Sequence, residues 1–424
     1  MGMKEHSVGR QCVILAGGRG TRLGALVDRL PKPMLPVDGR PFLEHLVSEI
    51  RRFGFDRFVF LAGYRGELVA EHFKDGGALS RRLKAQFTTV IERAPMGTAG
   101  ALKLAESGLD DFFLLLNGDS FFDFNLLDLT SPPLDDSAAG RIALRKVRDV
   151  SRYGVVETEG DHITSFRAQG GRGGFGLVNA GVYWLSKRIL DLLPAEGGSL
   201  ESEVFPELAK AGRLLGAAYQ GYFVDIGVPD DYAAACRELT AALRRPAVFF
   251  DRDNVLNEDA GYTHSRDGFK WIEGAQAAVK ACNDAGWFVF VVTNQAGVAH
   301  GYFDVADVEN LHAWMNEELC LQGAHVDDFR FCPHHPRGAF PSYAVTCGCR
   351  KPQPGMIFDL REAHPVIKDK SIVIGDKETD LEAGRRADVR SHQFTGGNLE
   401  HFIRAILLPS SAIGRVRERN DPSL

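Results

Sequence analysis

The sequence contains no apolar run long enough to cross a bilayer. Its longest apolar stretches, such as Phe112 to Leu116 and Trp287 to Val292, have the length of strands, whereas a membrane helix needs about 20 residues. The N-terminus has no apolar signal region, and His6 stands where a myristoylation motif needs serine or threonine. We therefore expect a cytoplasmic protein without a membrane partner.

The chain also has no excess of positive charge and little cysteine. Fifty Lys and Arg residues stand against 56 Asp and Glu residues, a formal charge of −6. No basic field is present to gather nucleic acid, so an anionic ligand must be bound by a local site. Three of the seven cysteines lie between Cys332 and Cys349, which indicates a metal site more than disulfide bonds.

The length and pattern of the chain indicate two folded domains. A chain of 424 residues is too long for one hydrophobic core, since domains average about 150 residues. Short β-rich runs alternate with helix-like stretches, which predicts an α/β fold with mainly parallel, doubly wound sheets in both halves. A helical stretch ends at Pro246 and a new strand begins at Ala247. We predict domains at 1–243 and 247–408, followed by a loose polar tail at 409–424.

A glycine-rich loop follows the first predicted strand, with Leu-Ala-Gly-Gly-Arg-Gly-Thr-Arg-Leu at 15–23 and Pro-Lys-Pro at 31–33. Glycines let backbone N–H groups approach phosphate oxygens, and Arg22 and Lys32 supply charge to neutralise a triphosphate. The loop lacks the Lys-Ser or Lys-Thr of the Walker pattern, and Gly24 comes one residue late for the dinucleotide fingerprint. The pattern indicates another kind of phosphate loop, although glycines alone equally suit a surface turn.

Two aspartates in this half follow strand-like runs. Asp119 comes after an apolar run, and Asp225 stands in a similar strand-then-glycine setting. Open α/β sheets bind ligands at the carboxyl ends of their strands, so the two residues could hold one Mg²⁺ against a phosphate. Each aspartate alone is more often a turn residue than a ligand.

Together these motifs resemble the sugar-1-phosphate nucleotidyltransferases over roughly residues 10 to 240. Further matching motifs are Pro-Met-Gly-Thr-Ala-Gly at 95–100, Tyr-Gly-Val-Val at 153–156, Asn-Ala-Gly-Val-Tyr at 179–183 and Asp-Ile-Gly-Val-Pro at 225–229. The resemblance implies a Rossmann-like domain in which a sugar 1-phosphate oxygen attacks the α-phosphorus of a nucleoside triphosphate and pyrophosphate leaves. Such a reaction depends on positioning and charge neutralisation, because the nucleophile is already an anion.

The same resemblance implies a role for each site residue of this half. The triphosphate would be bound by Gly17, Gly18, Gly20, Thr21 and Arg22, and its phosphates also by Lys32. The base would face Gly97 and Thr98, the sugar would face Gly154, Asn179 and Glu201, and Mg²⁺ would be held by Asp119 and Asp225. Arg22 and Lys32 are the expected catalytic residues.

The second half begins with a strand followed by Asp251 and Asp253. Asp251 suits a nucleophile and Asp253 an acid and base, although Asp-x-Asp alone is more often an acidic turn. A second strand ends at Thr293-Asn294, whose hydroxyl and N–H groups can bind a phosphoryl oxygen. Lys351 can offer a charge to the same group. A further strand leads to Gly-Asp-Lys-Glu-Thr-Asp at 375–380, whose carboxylates can complete a Mg²⁺ site.

In this order the motifs resemble the haloacid dehalogenase superfamily of phosphatases over roughly residues 247 to 400. The resemblance implies catalytic roles for Asp251, Asp253, Thr293 and Lys351, substrate binding by Asn294 and Arg350, and Mg²⁺ ligation by Asp251, Asp253 and Asp376. Asn254 is a departure, since the superfamily usually has glycine there. Asparagine tolerates positive φ better than most residues, so we expect the turn to survive.

Cys332-x-His334 and Cys347-x-Cys349 form the most specific short feature of the chain. Three thiolates and one imidazole suit a tetrahedral Zn²⁺ without an open position, which indicates a structural metal; His335 could replace His334 as a ligand. Because Arg350 and Lys351 follow at once, the zinc loop would order the substrate side of the pocket.

The zinc loop and the run Thr-Asn-Gln-Ala-Gly-Val-Ala-His-Gly-Tyr-Phe at 293–303 narrow the resemblance to D-glycero-D-manno-heptose 1,7-bisphosphate 7-phosphatases. The related histidinol-phosphate phosphatases share much of it. The short spacings from Asp253 to Thr293 and from Thr293 to Lys351 leave no room for a large cap domain.

The two halves fit one reaction sequence. A phosphatase that spares the anomeric phosphate of a heptose bisphosphate yields heptose 1-phosphate, which a sugar-1-phosphate nucleotidyltransferase consumes. The hypothesis is a bifunctional enzyme with Mg²⁺ at both sites and structural Zn²⁺, whose partners are a sugar phosphate and a nucleoside triphosphate. GTP is favoured by the resemblance to D-glycero-α-D-manno-heptose 1-phosphate guanylyltransferases. The sequence leaves the base, the anomer, channelling between sites and a homo-oligomeric state open.

Other readings remain at this point. The nearest is a nucleotidyltransferase that makes a UDP-, ADP- or CDP-sugar, fused to a histidinol-phosphate-like or other small-molecule phosphatase. A dinucleotide oxidoreductase would need the third glycine at the right spacing. A sensing domain would be favoured by the loss of Asp119 or Asp225, and both are present.

Overall fold

The computed structural model describes residues 10–151, 154–167, 174–194 and 197–407. These residues divide into two compact units at Arg244–Arg245, apart from the short stretch Cys320–Gly323, which groups with the first unit. The tail predicted at 409–424 lies outside the described residues. None of the helices in the described ranges is long and apolar enough to cross a membrane.

The first unit is built on one large mixed sheet. Its strands are β1 (Gln11–Ala16), β2 (Pro36–Val37), β3 (Arg40–Pro41), β4 (Arg57–Ala62), β5 (Gln86–Ile91), β6 (Phe112–Asn117), β7 (Ser120–Phe122), β8 (Gly140–Val147), β9 (Val155–Glu159), β10 (His162–Arg167), β11 (Gly176–Ser186), β12 (Leu214–Tyr219) and β13 (Phe223–Asp225). Its helices are α1 (Phe42–Arg52), α2 (Gly66–His72), α3 (Ala78–Leu83), α4 (Gly97–Leu104), α5 (Leu126–Thr130), α6 (Phe205–Lys210) and α7 (Pro229–Ala242). Among the described residues, nine strands form one sheet in the order β5-β4-β1-β6-β11-β8-β12-β10-β9, and β2–β3 and β13–β7 form small pairs.

One edge of this sheet is parallel and the rest is mostly antiparallel. Strands β5, β4, β1 and β6 run parallel, whereas β11 is antiparallel to β6 and β8, and β10 is antiparallel to β12 and β9. The α/β class is confirmed, but the prediction of a mainly parallel sheet is wrong for this half. Only Gly160 and Asp161 separate β9 from β10, and a parallel crossover needs about a dozen residues or more.

Both faces of the large sheet are buried. Along β1, Cys12 and Ile14 enter one apolar cluster and Val13 enters another, because successive side chains of a strand point to opposite faces. Chain order reverses between β1 and β6 in the parallel part of the sheet. A ligand crevice is therefore expected outside the carboxyl ends of these two strands.

The second unit is built on a parallel sheet. Its strands are β14 (Ala247–Phe250), β15 (Phe288–Asn294), β16 (Asp328–Cys332), β17 (Ile372–Gly375) and β18 (Arg390–Gln393). Its helices are α8 (Ala275–Asp284), α9 (Gly297–His300), α10 (Val305–Leu321), α11 (Gly355–Ala363), α12 (Glu378–Arg386) and α13 (Leu399–Leu407). Within the described residues 245–407 the strand order is β16-β15-β14-β17-β18, and every pair is parallel.

This sheet is also covered on both faces. Val248 and Phe250 of β14 enter one apolar cluster, and Ala247 and Phe249 enter another. Chain order reverses at β14, so the residues that follow β14 and β17 emerge at the same edge. The fully described segment between β14 and α8 contains no helix apart from a 3₁₀ turn at Arg266–Gly268, which leaves this edge open to ligands.

Candidate active sites

A cavity of about 710 Å³ opens in the first unit beside the ends of its parallel strands. Six of the expected site residues line it together: Gly17, Gly18, Gly97, Thr98 and Glu201, expected to bind substrates, and Asp119, expected to bind Mg²⁺. A side-chain carbon at position 17 would lie 2.5 Å from Glu92 Oε1, so a larger residue there would displace the Glu92 carboxylate. Position 97 has a φ of +70°, and a side-chain carbon would collide with the carbonyl oxygen of Gly198. Backbone atoms therefore form part of this cavity wall.

Two basic and two acidic side chains converge at one side of this site. Lys32 Nζ lies 2.5 Å from Asp119 Oδ2 and 3.5 Å from Asp225 Oδ1. A side-chain carbon at Gly227 would lie 3.2 Å from Arg22 Nη2 and 3.3 Å from Lys32 Nζ, so Arg22 reaches the same point. Burial and then the nearby Asp119 raise the pKa of Asp225, while Lys32 opposes the rise. A divalent cation would relieve this repulsion between carboxylates, so the pair fits one.

The residues expected at the sugar also lie together. Glu201 belongs to a π-helical turn, Leu200–Val204. Its Oε1 accepts hydrogen bonds from Asn179 Nδ2 at 3.0 Å and from the Tyr183 hydroxyl at 2.8 Å. The backbone N–H of Asn179 donates to Gly154 O at 3.4 Å. Glu201 is the member of this group that lines the cavity.

The structure adds residues to the cavity wall, and seven of the thirteen expected site residues of this half are not among those that line it. These seven are Gly20, Thr21, Arg22, Lys32, Gly154, Asn179 and Asp225. The cavity is also lined by Arg19, Tyr64, Glu92 and Asn117. Tyr64, Glu92 and Asn117 lie at or just beyond the ends of β4, β5 and β6, so the strand-end rule could have found them. Gly20 and Thr21 are not among the lining residues; they lie at the start of the 3₁₀ helix Thr21–Val27.

The second unit has a cavity of about 520 Å³. It brings together all six residues expected to be catalytic or to bind substrate in this half, which are Asp251, Asp253, Thr293, Asn294, Arg350 and Lys351. Lys351 is buried, and its Nζ lies 2.7 Å from Asp251 Oδ1 and 2.7 Å from Asp380 Oδ1. The same ammonium donates to Val292 O at 2.8 Å. A buried lysine thus bridges two buried aspartates.

The charges of this cluster suit a nucleophilic carboxylate. Burial raises the pKa of Asp251 to about 6; Lys351 opposes the rise, and Asp380 adds to it. Burial lowers the pKa of Lys351, but the attraction of Asp251 and Asp380 outweighs it and leaves that pKa above its ordinary value. At neutral pH the lysine is therefore charged and Asp251 is mostly ionised, as a nucleophile must be.

The carboxylate of Asp253 is held by its neighbours. Its Oδ1 accepts hydrogen bonds from Arg252 Nε at 3.0 Å and Asn257 Nδ2 at 3.2 Å. Its Oδ2 accepts one from Gln295 Nε2 at 2.9 Å. Both oxygens are thus engaged, which fixes the carboxylate at the edge of the cavity.

One candidate metal group lies at this cavity. It consists of Asp251, Asp376 and Asp380, whose carboxylate oxygens lie within 4.8 Å of one another. Asp376 Oδ1 is buried without a hydrogen-bond partner, and a cation would satisfy it. The Asp253 carboxylate, which was expected as a ligand, is not part of this group, and Asp380 is its third member.

The side chain of Asn294 hydrogen bonds to the backbone of Lys351. Its Nδ2 donates to Lys351 O at 3.1 Å, and its Oδ1 accepts from Lys351 N at 3.0 Å. The expected substrate-binding side chain therefore holds the backbone of Lys351 in place. The cavity is also lined by residues to which the sequence assigned no role. Gln295, Ala296, Lys377 and Thr379 lie within the motifs at 293–303 and 375–380, whereas Asp259, Gly261 and Tyr262 belong to no motif.

The four expected zinc ligands converge beside this cavity. The sulfur atoms of Cys332, Cys347 and Cys349 lie 3.2 to 3.5 Å apart, and His334 Nδ1 lies 3.4 Å from Cys349 Sγ. A tetrahedron with Zn–S bonds of about 2.3 Å has edges of roughly 3.8 Å, so the donor set fits Zn²⁺. His335 Nδ1 instead accepts a hydrogen bond from Arg337 N at 3.2 Å, which favours His334 as the ligand.

The two units match known families. Residues 11–242 match the family described as nucleotidyl transferase, and residues 348–401 match the family described as HAD-hydrolase-like. The chain therefore belongs to the nucleotidyl transferase family, here joined to a phosphatase-like unit of the haloacid dehalogenase type.

Relatives of both units carry heptose names. The chain is 36% identical over 224 residues to the D-glycero-α-D-manno-heptose 1-phosphate guanylyltransferase of Campylobacter jejuni, covering 52% of this chain and 96% of that protein. It is 46% identical over 168 residues to the D-glycero-β-D-manno-heptose-1,7-bisphosphate 7-phosphatase of Rhodopseudomonas palustris, covering 40% of this chain and 93% of that protein. A crystal structure of HddC from Yersinia pseudotuberculosis complexed with GMP-PN is 32% identical, with a TM-score of 0.47, over 54% of this chain and 99% of that one.

The turn that follows Asp253 contains Asn254, whose backbone conformation can be tested by substitution. Asn254 has a φ of +63°, and its Nδ2 donates to Asp376 Oδ2 at 3.2 Å. We expect Asn254→Ala to lower the free energy of unfolding by about 1 to 2 kcal/mol, because alanine is strained in the left-handed region. Asn254→Gly removes the same side-chain contact without the strain and should be the more stable variant. Calorimetric unfolding of the two proteins compares them directly, and equal stability would contradict the backbone explanation.

Proposed function

We propose that the chain is a bifunctional enzyme of nucleotide-activated heptose synthesis. The second unit removes the 7-phosphate of D-glycero-D-manno-heptose 1,7-bisphosphate, and the first transfers GMP from GTP to the resulting heptose 1-phosphate and releases pyrophosphate. The observation that carries the proposal is the pairing of the two relatives. One is named for removing the 7-phosphate and the other for guanylylating the 1-phosphate, and each unit gathers residues suited to that chemistry at one cavity.

If the two units act in sequence, the product of the phosphatase unit must be the anomer that the nucleotidyltransferase unit uses. The guanylyltransferase relative is named for the α-anomer, whereas the phosphatase relative is named for the β-anomer. Cleavage of the phosphate ester at C7 does not change the configuration at C1. We therefore infer that the phosphatase unit of this chain accepts the α-bisphosphate, so that its product is a substrate of the first unit.

In the phosphatase unit, Asp251 attacks the phosphorus of the 7-phosphate. The C7 oxygen leaves with a proton from Asp253, and an aspartyl-phosphate forms on Asp251. Asp253 then takes a proton from the water that hydrolyses this intermediate. Lys351 stabilises the charge on the phosphoryl group. Gln295 Nε2 donates to Thr293 Oγ1 at 3.0 Å, which leaves the Thr293 hydrogen free to donate to a phosphoryl oxygen.

We propose that Asp251, Asp376 and Asp380 hold Mg²⁺ in this unit. When bound, the ion neutralises the phosphate dianion as it approaches the negatively charged nucleophile. The buried, unpartnered Asp376 Oδ1 supports this assignment. Arg350, which lines the same cavity, would bind another oxygen of the sugar phosphate.

In the nucleotidyltransferase unit, catalysis depends on holding the sugar 1-phosphate and the nucleoside triphosphate in line for attack on the α-phosphorus. Backbone N–H groups of the loop from Gly17 through Gly20 and Thr21 would bind the triphosphate, with Arg22 and Lys32 neutralising charge as pyrophosphate leaves. The base would contact Gly97 and Thr98. The hydroxyl groups of the sugar would contact Glu201, Asn179 and Gly154. Asp119 and Asp225 would hold a Mg²⁺ that offsets the charge of the triphosphate.

We propose that Cys332, His334, Cys347 and Cys349 hold a structural Zn²⁺. With all four positions taken by protein, such an ion has no open site for chemistry. Its effect would reach the phosphatase cavity through Arg350, whose Nη1 donates to His334 O at 3.1 Å.

The proposed function predicts one set of products. Purified protein given Mg²⁺, all four nucleoside triphosphates and the α-anomer of the heptose bisphosphate should form GDP-heptose, detected by mass spectrometry. The β-anomer should give at most dephosphorylation, because C1 keeps its configuration. A UDP-, ADP- or CDP-sugar product would refute the choice of base, and heptose 1-phosphate without any nucleotide product would refute the assignment of the first unit.

The two activities should be separable by single substitutions. Asp251→Asn is expected to reduce phosphatase activity by roughly three orders of magnitude or more, because the covalent nucleophile is lost. Nucleotidyl transfer from supplied heptose 1-phosphate should stay unchanged. Asp119→Asn should give the opposite pattern. Phosphate release and pyrophosphate release are assayed separately, and loss of both activities in a folded single variant would be incompatible with two independent sites.

Loss of zinc should affect only the phosphatase unit. The protein is expected to contain one zinc per chain by elemental analysis, and Cys347→Ser should lower both the zinc content and the phosphatase rate. Nucleotidyl transfer should be unaffected, because the metal loop belongs to the second unit. Cys236→Ser, which alters an exposed cysteine of the first unit, is the matched control. Full phosphatase activity in a zinc-free Cys347→Ser protein would contradict a structural role.

A further inference from the structure

Tyr183 lies behind the cavity wall that carries Glu201. Its side chain is 1% exposed and is not among the lining residues, so it does not reach a substrate in the cavity. Its hydroxyl oxygen accepts a hydrogen bond from Asn179 Nδ2 at 2.8 Å. Because the amide occupies an acceptor position, the hydroxyl directs its one hydrogen to Glu201 Oε1, 2.8 Å away.

The hydroxyl of Tyr183 is also kept protonated. Burial, and then the nearby negative charge of Glu201, raise the pKa of Tyr183 well above its ordinary value. The donor to Glu201 is therefore present throughout the pH range in which the protein would work.

An irregularity in β11 brings these side chains together. The register of β11 against β8 shifts between Asn179 and Tyr183, and Gly181 between them has a φ of +74°. A side-chain carbon at Gly181 would lie 2.8 Å from Asn117 Nδ2, so glycine is needed for this arrangement. Bulges next to active sites redirect side chains. Here the bulge lets the side chain of Asn179 meet the hydroxyl of Tyr183, and both donate to one carboxylate oxygen.

The carboxylate of Glu201 is held on one side only. Oε1 accepts both hydrogen bonds, and within the described residues Oε2 has no hydrogen-bond partner. The turn that carries it is anchored as well, since Leu200 N donates to Thr98 Oγ1 at 2.8 Å. One oxygen is thus fixed, and the other is available to accept a hydrogen bond from a ligand in the cavity.

We propose that Tyr183 is a positioning residue for the sugar phosphate: its buried hydroxyl fixes the Glu201 carboxylate in the orientation that binds a sugar hydroxyl. The inference rests on the proposed function of the first unit. Without the tyrosine hydroxyl, Asn179 alone holds Oε1, and the carboxylate can rotate away from the sugar. The nucleotide contacts do not involve this hydroxyl, so only sugar binding changes.

The test is Tyr183→Phe, which removes one oxygen and keeps the buried ring. We expect the KM for the sugar 1-phosphate to rise about tenfold or more, the range for a hydrogen bond to a charged group. The KM for GTP and kcat should change less than about twofold, since the lost interaction is made equally in ground and transition states. Tyr232→Phe is the matched control, because its hydroxyl donates to Pro36 O at 2.7 Å outside the cavity lining. That control should leave both KM values unchanged.

A double-mutant cycle separates positioning from a general structural effect. If Tyr183 acts through Glu201, adding Tyr183→Phe to Glu201→Gln should raise the sugar KM by less than about twofold, whereas independent effects multiply. An unchanged sugar KM in Tyr183→Phe, an equal rise in the KM for GTP, or multiplying effects in the double variant would each overturn the inference.

Assays with several sugar 1-phosphates distinguish failure of this inference from failure of the proposed function. The variants are assayed with whichever of the heptose, mannose and glucose 1-phosphates the wild type uses. Turnover of a sugar other than heptose would refute the proposed substrate and still allow the Tyr183 test. Absence of turnover with all three sugars and all four triphosphates would refute both.

Discussion

Each unit is organised around a buried lysine that bridges two aspartates. Lys32 lies between Asp119 and Asp225 in the first unit, and Lys351 lies between Asp251 and Asp380 in the second. A buried ammonium is tolerated only when it is paired and hydrogen bonded. The two carboxylates therefore pair with each buried lysine at the place where a phosphate would be bound. Asp119 and Asp251 lie there because they follow β6 and β14, strands of sheets that are covered on both faces, so that polar groups gather at the strand ends. Asp225 ends the short strand β13, and Asp380 lies in the first turn of α12.

The two clusters differ in burial, and this difference fits their proposed chemistry. The side chains of Lys351, Asp251 and Asp380 are at most 8% exposed, whereas those of Asp119 and Asp225 are 34% and 35% exposed. An enclosed carboxylate whose pKa is raised by burial suits covalent attack at phosphorus, since fewer waters compete with it. More open carboxylates suit a metal-bound triphosphate, which is large and brings its own ion.

Sequence motifs predict many residues of both sites, whereas site residues that lie outside any motif could not be recognised from the sequence. Asp119 and Asp251 stand in recognisable motifs at strand ends. Tyr64 and Glu92 also lie just beyond strand ends, but they belong to no motif that marks them as lining the cavity. The antiparallel part of the first sheet was missed because alternation of strand and helix signals gives no direct information on strand direction. Asp253 lies two residues from Asp251 whereas Asp380 belongs to a distant motif, and only the folded structure shows that the Asp380 carboxylate, and not that of Asp253, joins Asp251 and Asp376 in one group. Tyr183 is the last residue of the motif at 179–183, but nothing in the sequence shows that its hydroxyl is buried behind Glu201.

The second unit must position its catalytic side chains without the help of a large cap domain, since the described residues 245–407 contain none. Its cavity is bordered by loops, and loops are the least rigid parts of a fold. Arg350 and Lys351 follow directly after Cys349, so the loop that would carry zinc also carries two of the cations at the cavity. The contact from Arg350 to His334 O and the pair of hydrogen bonds between Asn294 and Lys351 fasten this loop at two points. A metal that closes such a loop supplies order that a small hydrophobic core cannot. The proposed zinc would therefore act on catalysis at a distance from the reacting phosphorus, by holding Lys351 where Asp251 and Asp380 need it.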